Sequence, residues 1–267
     1  MYQKFLEESL KKASQIASNN FGKVSGVTKG EDNNQVLTET DIQVGNALID
    51  LIQIEFPEHN IIDEEAGVID KGSDFTWVID PIDGTSNFAQ GVPNYGIMIG
   101  LLKDSKPLAG GIALPYFKEI CVAEKGQGAF CNGEKLLVTE ETNLLSVLVA
   151  YQMDGHQENP EFTRKEGQVV AEIALNIRNL RNSGSCFDAV MLAKGKYGAY
   201  LIQTCKIWDV VATNIIIEEA GGFYTDFFGK PMDYNNALNR TKENFTCCGS
   251  TPVLHEQLQN IIGKFTS

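Results

Sequence analysis

From Trp77 to Phe88 the chain reads Trp-Val-Ile-Asp-Pro-Ile-Asp-Gly-Thr-Ser-Asn-Phe, an apolar segment that runs directly into two aspartates and a glycine. The β-branched and aromatic residues 77–79 predict a buried strand, which Pro81 and then Asp83-Gly84 are expected to stop. Asp80 and Asp83 are thereby set at the end of a sheet. Gly84 permits close approach of backbone to a ligand, and the amides of Gly84 and Thr85 can face an anion if a helix begins there. Two distant segments add further acids. Ile61-Ile62-Asp63-Glu64-Glu65 ends a second short apolar strand, and Ile207-Trp208-Asp209 opens an apolar helical segment that the glycines of Glu218-Glu219-Ala220-Gly221-Gly222 end. Asp209 then falls in the first turn of that helix.

If Glu64, Glu65, Asp80, Asp83 and Asp209 converge, they put up to five negative charges in one cleft, which cations or bound protons must neutralise. Carboxylates and carbonyls without thiolate or imidazole suit Mg²⁺, with Mn²⁺ as a substitute, better than Zn²⁺. Two such ions about 3.5–4 Å apart acidify a bound water, bind phosphoryl oxygens and stabilise a leaving alkoxide, which are the main demands of phosphate-monoester hydrolysis. Each piece alone has a plainer reading. Asp-Pro-Ile-Asp-Gly can be a turn, Glu64-Glu65 a solvated loop, Asp209 a helix-start residue favoured by the dipole, and Lys29 an exposed lysine. Their joint occurrence points to a metal-dependent phosphatase.

The three acidic blocks, in this order, resemble those of the inositol monophosphatase family of Mg²⁺-dependent, lithium-sensitive phosphatases. Leu37-Thr38-Glu39-Thr40-Asp41, the glycine loop 126–133 and Arg181-Asn182-Ser183-Gly184-Ser185 extend the resemblance over nearly the whole chain. It implies a layered αβαβα sandwich with the active site between its halves, two to three Mg²⁺ ions and a homodimer. By the same resemblance Glu64, Asp80 and the Ile82 carbonyl hold a first ion, Asp80, Asp83 and Asp209 a second, and Glu64 touches a third. Thr85 with Asp41 orients and deprotonates the attacking water, the backbone of Gly84 and Thr85 holds phosphate, and Gly184-Ser185-Cys186 touches substrate hydroxyls. Lys29 falls in what resembles the family's loop over the site.

Ser86-Asn87-Phe88 is closer to the inositol branch than the Lys-Glu-Phe of the nucleotide-directed relatives, which favours a phosphate ester of a small polyol or sugar, of the inositol 1-phosphate type. There is one departure. Seven residues before Asp209, where inositol phosphatases carry a glutamate that binds ring hydroxyls, this chain has Ile202, with Gln203 adjacent. Loss of such a partner changes recognition by about 1–3 kcal/mol, enough to shift preference. Fructose 1,6-bisphosphate, histidinol phosphate and 3′-phosphoadenosine 5′-phosphate therefore stay open as substrates. So does a catalytically silent sugar-phosphate-binding or regulatory protein on the same fold. A phosphatase with an aspartyl nucleophile of the haloacid dehalogenase type is disfavoured, because Asp80 and Asp83 are three apart where that pattern needs two.

The elements that must position these residues form a mixed α/β pattern. Phe5, Leu6, Leu10, Ala13, Ile16 and Ala17 recur at helical spacing over 3–19, as do Val44, Ala47, Leu48, Leu51 and Ile52 in a second helix, and the two are expected to cover one sheet. Strands are expected near 75–80, 95–103, 107–114 and 119–124, paired antiparallel, with a tight turn at Asn132-Gly133 and a structural role for the glycine loop before it. From Ser146 strands alternate with helices, near 160–175, 185–194, after Trp208, and from Thr251-Pro252. Residues 1–145 are thus read as an N-terminal α+β half carrying most metal ligands, and 146–267 as a C-terminal α/β half carrying Asp209 and the substrate-recognition segment.

Composition fits this class. The 267 residues, 43% hydrophobic, suffice for one large core or two packed subdomains. With 22 Lys plus Arg against 35 Asp plus Glu, a net charge of −13 and no basic block, nucleic-acid binding is disfavoured. The first eight residues mix charges too early for a secretory signal, and no apolar run approaches the ~20 residues of a membrane span, so a cytoplasmic location is expected. The six cysteines lack metal-ligand spacing and are read as buried, reduced thiols, with a redox role for adjacent Cys247-Cys248 disfavoured. His59, His156 and His255 sit in polar sequence surroundings, are expected to be exposed, and share no motif.

Overall fold

The computed structural model describes residues 2–28 and 36–265. Helices α1 (Tyr2–Asn20) and α2 (Glu39–Glu55) come first, with a two-residue ladder, β1 (Val27–Thr28) against β2 (Val36–Leu37), between them. The strands β3 (Asn60–Asp63), β4 (Gly67–Ile69), β5 (Phe75–Asp83), β6 (Gly96–Lys103), β7 (Lys106–Leu114), β8 (Glu119–Glu124), β9 (Gly128–Cys131) and β10 (Glu134–Lys135) form one sheet in the order β10-β9-β8-β7-β6-β5-β3-β4. A short helix, α3 (Thr85–Ala89), follows β5. Only the β3/β5 pair is parallel in this sheet, and the run from β5 to β10 is an antiparallel meander, as its short connections predict.

The second sheet has five strands, in the order β12-β11-β13-β15-β14: β11 (Leu148–Gln152), β12 (Asn179–Arg181), β13 (Ala199–Cys205), β14 (Phe223–Thr225) and β15 (Phe245–Ser250). Helices α4 (Pro160–Leu175), α5 (Phe187–Ala193), α6 (Ile207–Glu219) and α7 (Pro252–Ile262) are interleaved with them. Thr251 caps α7, its hydroxyl accepting from Leu254 N, and Pro252 occupies the first helical position.

Alternation along the strands assigns the layers. In β6, Ile97, Ile99 and Leu101 pack with α1 and α2, whereas Met98 and Leu102 face α5 and α6. In β13, Tyr200 and Ile202 face α6, whereas Ala199 and Leu201 join α4 and α7 on the outer side. The stack is therefore α1/α2, sheet, α5/α6, sheet, α4/α7, the expected αβαβα sandwich. Helix α6 is apolar on every side, from Ile207 through Val210-Val211-Ala212 to Ile215-Ile216-Ile217, because both sheets cover it. Gly100 and Gly110 let it come close, since a Cβ on Gly100 would meet Val211 Cγ1 at 2.5 Å and one on Gly110 would meet Ile215 Cγ2 at 2.6 Å.

Three expectations need amendment. Strand β5 runs on to Asp83 instead of stopping at Pro81. The histidines are not exposed polar residues. His59 stacks on Phe56 and Phe75 and accepts from Trp77 Nε1, His255 is buried against Thr225 Oγ1, and His156 is half-buried. Each lies in a different part of the fold, beyond the reach of sequence neighbours to show. Helix α5 starts at Phe187, two residues later than expected, because the preceding loop is held on Asp83 and Asp188. All six cysteines are buried and free. Among the described residues, no helix is long and apolar enough to cross a membrane.

Candidate active site

Three elements supply the acids. Asp80 pairs with Met98 and Asp83 with Gly96, so β5 advances three residues while β6 advances two. A regular strand would point side chains three apart to opposite faces. The bulge at Pro81, which has no N–H for the ladder, returns Asp83 to the face of Asp80, toward α5 and α6. Asp209, third residue of α6, accepts from Lys206 N at the helix start. Carboxylate oxygens of Asp80, Asp83 and Asp209 all lie within 4.8 Å of one another. Asp80 is only 2% exposed and its Oδ1 has no hydrogen-bond partner, so an oxygen-only donor set with an orphaned buried oxygen matches a hard divalent cation.

These acids floor a cavity of about 610 Å³ that Glu64 and Glu65 also line. Glu64 follows β3, whose parallel pairing with β5 sets Asp63 beside Ile79 and brings the next residue alongside Asp80. Thr85 Oγ1 lies 2.7 Å from the Ile82 carbonyl and 3.2 Å from Asp41 Oδ1, and its one proton can go to either. Asp41 is buried behind Thr85. As third residue of α2 it accepts from Thr38 N–H and O–H in a capping box, which fixes its carboxylate. Gly84 takes a left-handed φ of +79°, and a Cβ there would sit 2.9 Å from Ser185 Cβ and 3.2 Å from the carbonyls of Asn94 and Gly184. The glycine is thus required by its backbone and by the loop behind it, rather than by ligand approach alone.

That loop belongs to the opposite wall. Asn87 Nδ2 donates to the Ser183 and Asn94 carbonyls, Cys186 N–H donates to Asp83 Oδ2, and Ser183 N–H donates to Asp188 Oδ2. Gly184 lines the cavity, whereas Ser185 and Cys186 are buried beneath it. Ser185 offers its carbonyl to Gln152 Nε2, and the Cys186 N–H holds Asp83. In β13, Tyr200, Ile202 and Thr204 face the cavity, and period-two alternation turns Gln203 away, where its Nε2 meets Tyr151 Oη at 2.6 Å. Gln203, though next to Ile202 in sequence, therefore does not line the cavity where the glutamate is missing. Gln152, His156, Asn182, Lys206 and Lys242 also line the cavity and were not foreseen. Only Asn182 lay in a recognised segment; the others come from β11, loops and a helix cap that carry no motif. Lys29 lies outside the described residues.

Mutual crowding shows in the acidities. Burial, then the charges of Glu64, Asp83 and Asp209, holds Asp80 well above the usual carboxylate range. Burial raises Asp83 to about 6 against the opposing hydrogen bond from Cys186, and burial with the charge of Asp83 raises Asp209 to about 7. Burial also raises Asp41, opposed by its hydrogen bonds from Thr38 and Thr85. Without cations the cluster retains protons near neutral pH; with cations it gives them up.

Fold and site together define a metal-dependent phosphatase architecture, and comparison with known proteins agrees. The family model described as inositol monophosphatase family matches residues 2–262, and the chain belongs to that family of phosphoric-ester hydrolases. A Thermotoga maritima fructose-1,6-bisphosphatase/inositol-1-monophosphatase is 30% identical over 256 residues, covering 96% of this chain and 93% of that protein. Inositol monophosphatase 1 of Bos taurus is 33% identical over 204 residues, covering 74% and 73%. The solved structure of a Thermotoga maritima IMPase superposes with a TM-score of 0.84 at 28% identity, covering 97% and 95% of the two chains.

Proposed function

We propose that this chain hydrolyses the phosphate monoester of a small polyol or sugar, of the inositol 1-phosphate type, with two to three Mg²⁺ ions and sensitivity to lithium. The observation that carries the reading is the convergence of Asp80, Asp83 and Asp209 within 4.8 Å beside the Thr85–Asp41 pair. Glu64, Asp80 and the Ile82 carbonyl would hold one ion, Asp80, Asp83 and Asp209 another, and Glu64 with Glu65 nearby a weaker third. When bound, the ions acidify a water and neutralise charge on the phosphoryl oxygens. Thr85 Oγ1 accepts the proton of that water while passing its own to Asp41, whose raised pKa suits a base. The backbone of Gly84 and Thr85 receives phosphate oxygens at the start of α3.

A bisphosphorylated sugar such as fructose 1,6-bisphosphate is the second reading. Ile202 stands where a carboxylate is expected, and Lys206, whose Nζ donates to the Lys242 and Glu243 carbonyls, and Lys242 line the same cavity. The bifunctional name of the Thermotoga maritima relative favours it as well. We extend the proposal to a homodimer in the cytoplasm.

Phosphate release is measured with Mg²⁺, with EDTA and with lithium, from inositol 1-phosphate, fructose 1,6-bisphosphate, histidinol phosphate and 3′-phosphoadenosine 5′-phosphate. Metal-dependent, lithium-inhibited release is expected, fastest from the first or second. No release from any of the four would favour a silent binding protein and defeat the proposal. Light scattering giving the mass of a single 29.4 kDa chain would defeat the dimer.

A further inference from the structure

Away from the active site, β8 and β9 bring two cysteines together that ten residues of sequence keep apart. Cys121 and Cys131 are direct cross-strand partners. Asn132 N–H donates to the Ile120 carbonyl, so 120/132 is a hydrogen-bonded position and the next pair, 121/131, is a non-hydrogen-bonded one, where side chains stand closest. Cys121 Sγ donates to Cys131 Sγ across 2.8 Å. The strand spacing at such a position, about 4.5 Å between Cα atoms, falls inside the range that a disulfide spans. Cys247 and Cys248 offer the contrast. As neighbours in β15 they point to opposite faces, into separate cores, and cannot bond to each other across a sheet.

The surroundings of the pair favour reaction. Cys121 is fully buried, whereas Cys131 lines a second cavity, of about 460 Å³, together with Lys135, Lys194 and Lys196 and with Glu119 and Glu134. Lys194 is held 2.6 Å from Glu119 at the C-terminal end of α5. Cys131, though buried, thus stands on the wall of a cavity that holds lysines, cations of the kind that activate thiols. The hydrogen bond from Cys121, with help from Lys194, holds the Cys131 thiol below its ordinary range against burial, and the same bond with burial pushes Cys121 up. Because Cys131 and not Cys121 lines the cavity, Cys131 is placed to attack and the buried Cys121 to resolve.

We propose that Cys121 and Cys131 form a reversible dithiol–disulfide pair, oxidised by a small hydroperoxide that reaches Cys131 through this cavity. The Cys131 thiolate attacks a peroxide oxygen, the O–O bond breaks, and the departing hydroxide takes a proton to leave as water, giving a sulfenic acid. Cys121 sulfur then attacks Cys131 sulfur, the S–O bond breaks, and a second water leaves with the Cys121 proton. Two thiols lose two electrons and two protons, and one hydrogen peroxide becomes two waters. This site is independent of the phosphatase reading, and its test reads thiols instead of phosphate.

The full-length protein is exposed to hydrogen peroxide, then alkylated in denaturant and analysed by intact mass and peptide mapping. We expect four alkylated cysteines where the untreated protein shows six, hence an alkylated intact mass lower by two alkyl groups, a cross-linked Cys121–Cys131 peptide, and recovery of all six with dithiothreitol. In Cys121→Ser, dimedone should trap a sulfenic acid at Cys131. In Cys131→Ser, Cys121 should stay reduced at the same dose. Six alkylated cysteines after peroxide, a cross-link joining any other pair, or unchanged oxidation of Cys121 in Cys131→Ser would each overturn the assignment.

Discussion

Asp80 separates the two jobs that acidic residues do in this molecule. Its carboxylate is buried with one oxygen unpartnered and the charges of four other acids acting on it, so it works against the fold unless a cation or proton is present. Asp41, equally buried, accepts two hydrogen bonds from Thr38 and one from Thr85. Two substitutions should therefore behave differently. Asp80→Asn removes a charge that clamps ions, and phosphate release should fall by roughly 10²–10³ or more with the circular dichroism spectrum unchanged. The metal-free variant should be at least as stable as the parent. Thr85→Ala leaves the ion ligands in place, so Mg²⁺ affinity should hold while kcat falls by roughly 10²-fold. Near-normal Mg²⁺-dependent turnover in Asp80→Asn would sink the metal assignment, and an unchanged kcat in Thr85→Ala would remove it from proton transfer. The convergence of Asp80, Asp83 and Asp209 was legible in the sequence because each stands where an apolar segment ends or begins. Which of Ile202 and Gln203 faces the cavity was not legible, because adjacent strand residues face opposite ways and the choice depends on the second sheet. Cys121 and Cys131 were illegible as a pair because only strand register joins them.

At the scale of elements, the site depends on how closely α6 lies on the first sheet. Its hydrophobic run was readable as a helix, and its glycine stop at Gly221-Gly222 too, but not that two sheets cover it. Gly100, in β6, was unreadable for a related reason. A lone glycine in an apolar strand gives no sign that a helix backbone rests on it. A Cβ at Gly100 would stand 2.5 Å from Val211 Cγ1 and 3.0 Å from Ala212 N, so neither a rotamer change nor a small shift of one side chain relieves it. Helix α6 has to lift, and Asp209 rises with its first turn away from Asp80 and Asp83. Gly100→Ala should lower stability by about 1–3 kcal/mol, the range for overpacking a dense core. It should also raise the Mg²⁺ concentration needed for half-maximal activity, with turnover recovering at high Mg²⁺. Thermal unfolding and a Mg²⁺ titration of activity check both. Lost stability with an unchanged Mg²⁺ requirement would show that Asp209 is positioned from its own helix start at Lys206 instead.

For the whole molecule, the net charge of −13 and the acid cluster make stability a matter of pH and metal together. Burial, with the charge of neighbouring acids, raises Asp83 and Asp209 from 3.8 to about 6 and about 7. A carboxyl that binds its proton more tightly in the fold than in the unfolded chain adds stability that is complete below the unfolded value of 3.8 and is lost as pH rises through the folded value. The metal-free protein should therefore melt at progressively lower temperature as pH is raised from about 5 to about 8, most steeply below pH 6, where both groups keep protons that the unfolded chain has released, and less steeply above about 7. Metal binding runs the other way, because its ligands must be deprotonated, so Mg²⁺ should raise the melting temperature far more at about pH 8 than at about pH 5. Unfolding scans with EDTA and with Mg²⁺ across this range give both trends. Asp83→Asn should flatten the metal-free profile and remove most of the Mg²⁺ shift, which separates the cluster from general surface repulsion. A metal-free profile that is level across this window, with a Mg²⁺ shift that ignores pH, would mean that the acids of β5 and α6 do not share protons in the fold, and the reading of their crowding as a cation site would lose its electrostatic basis.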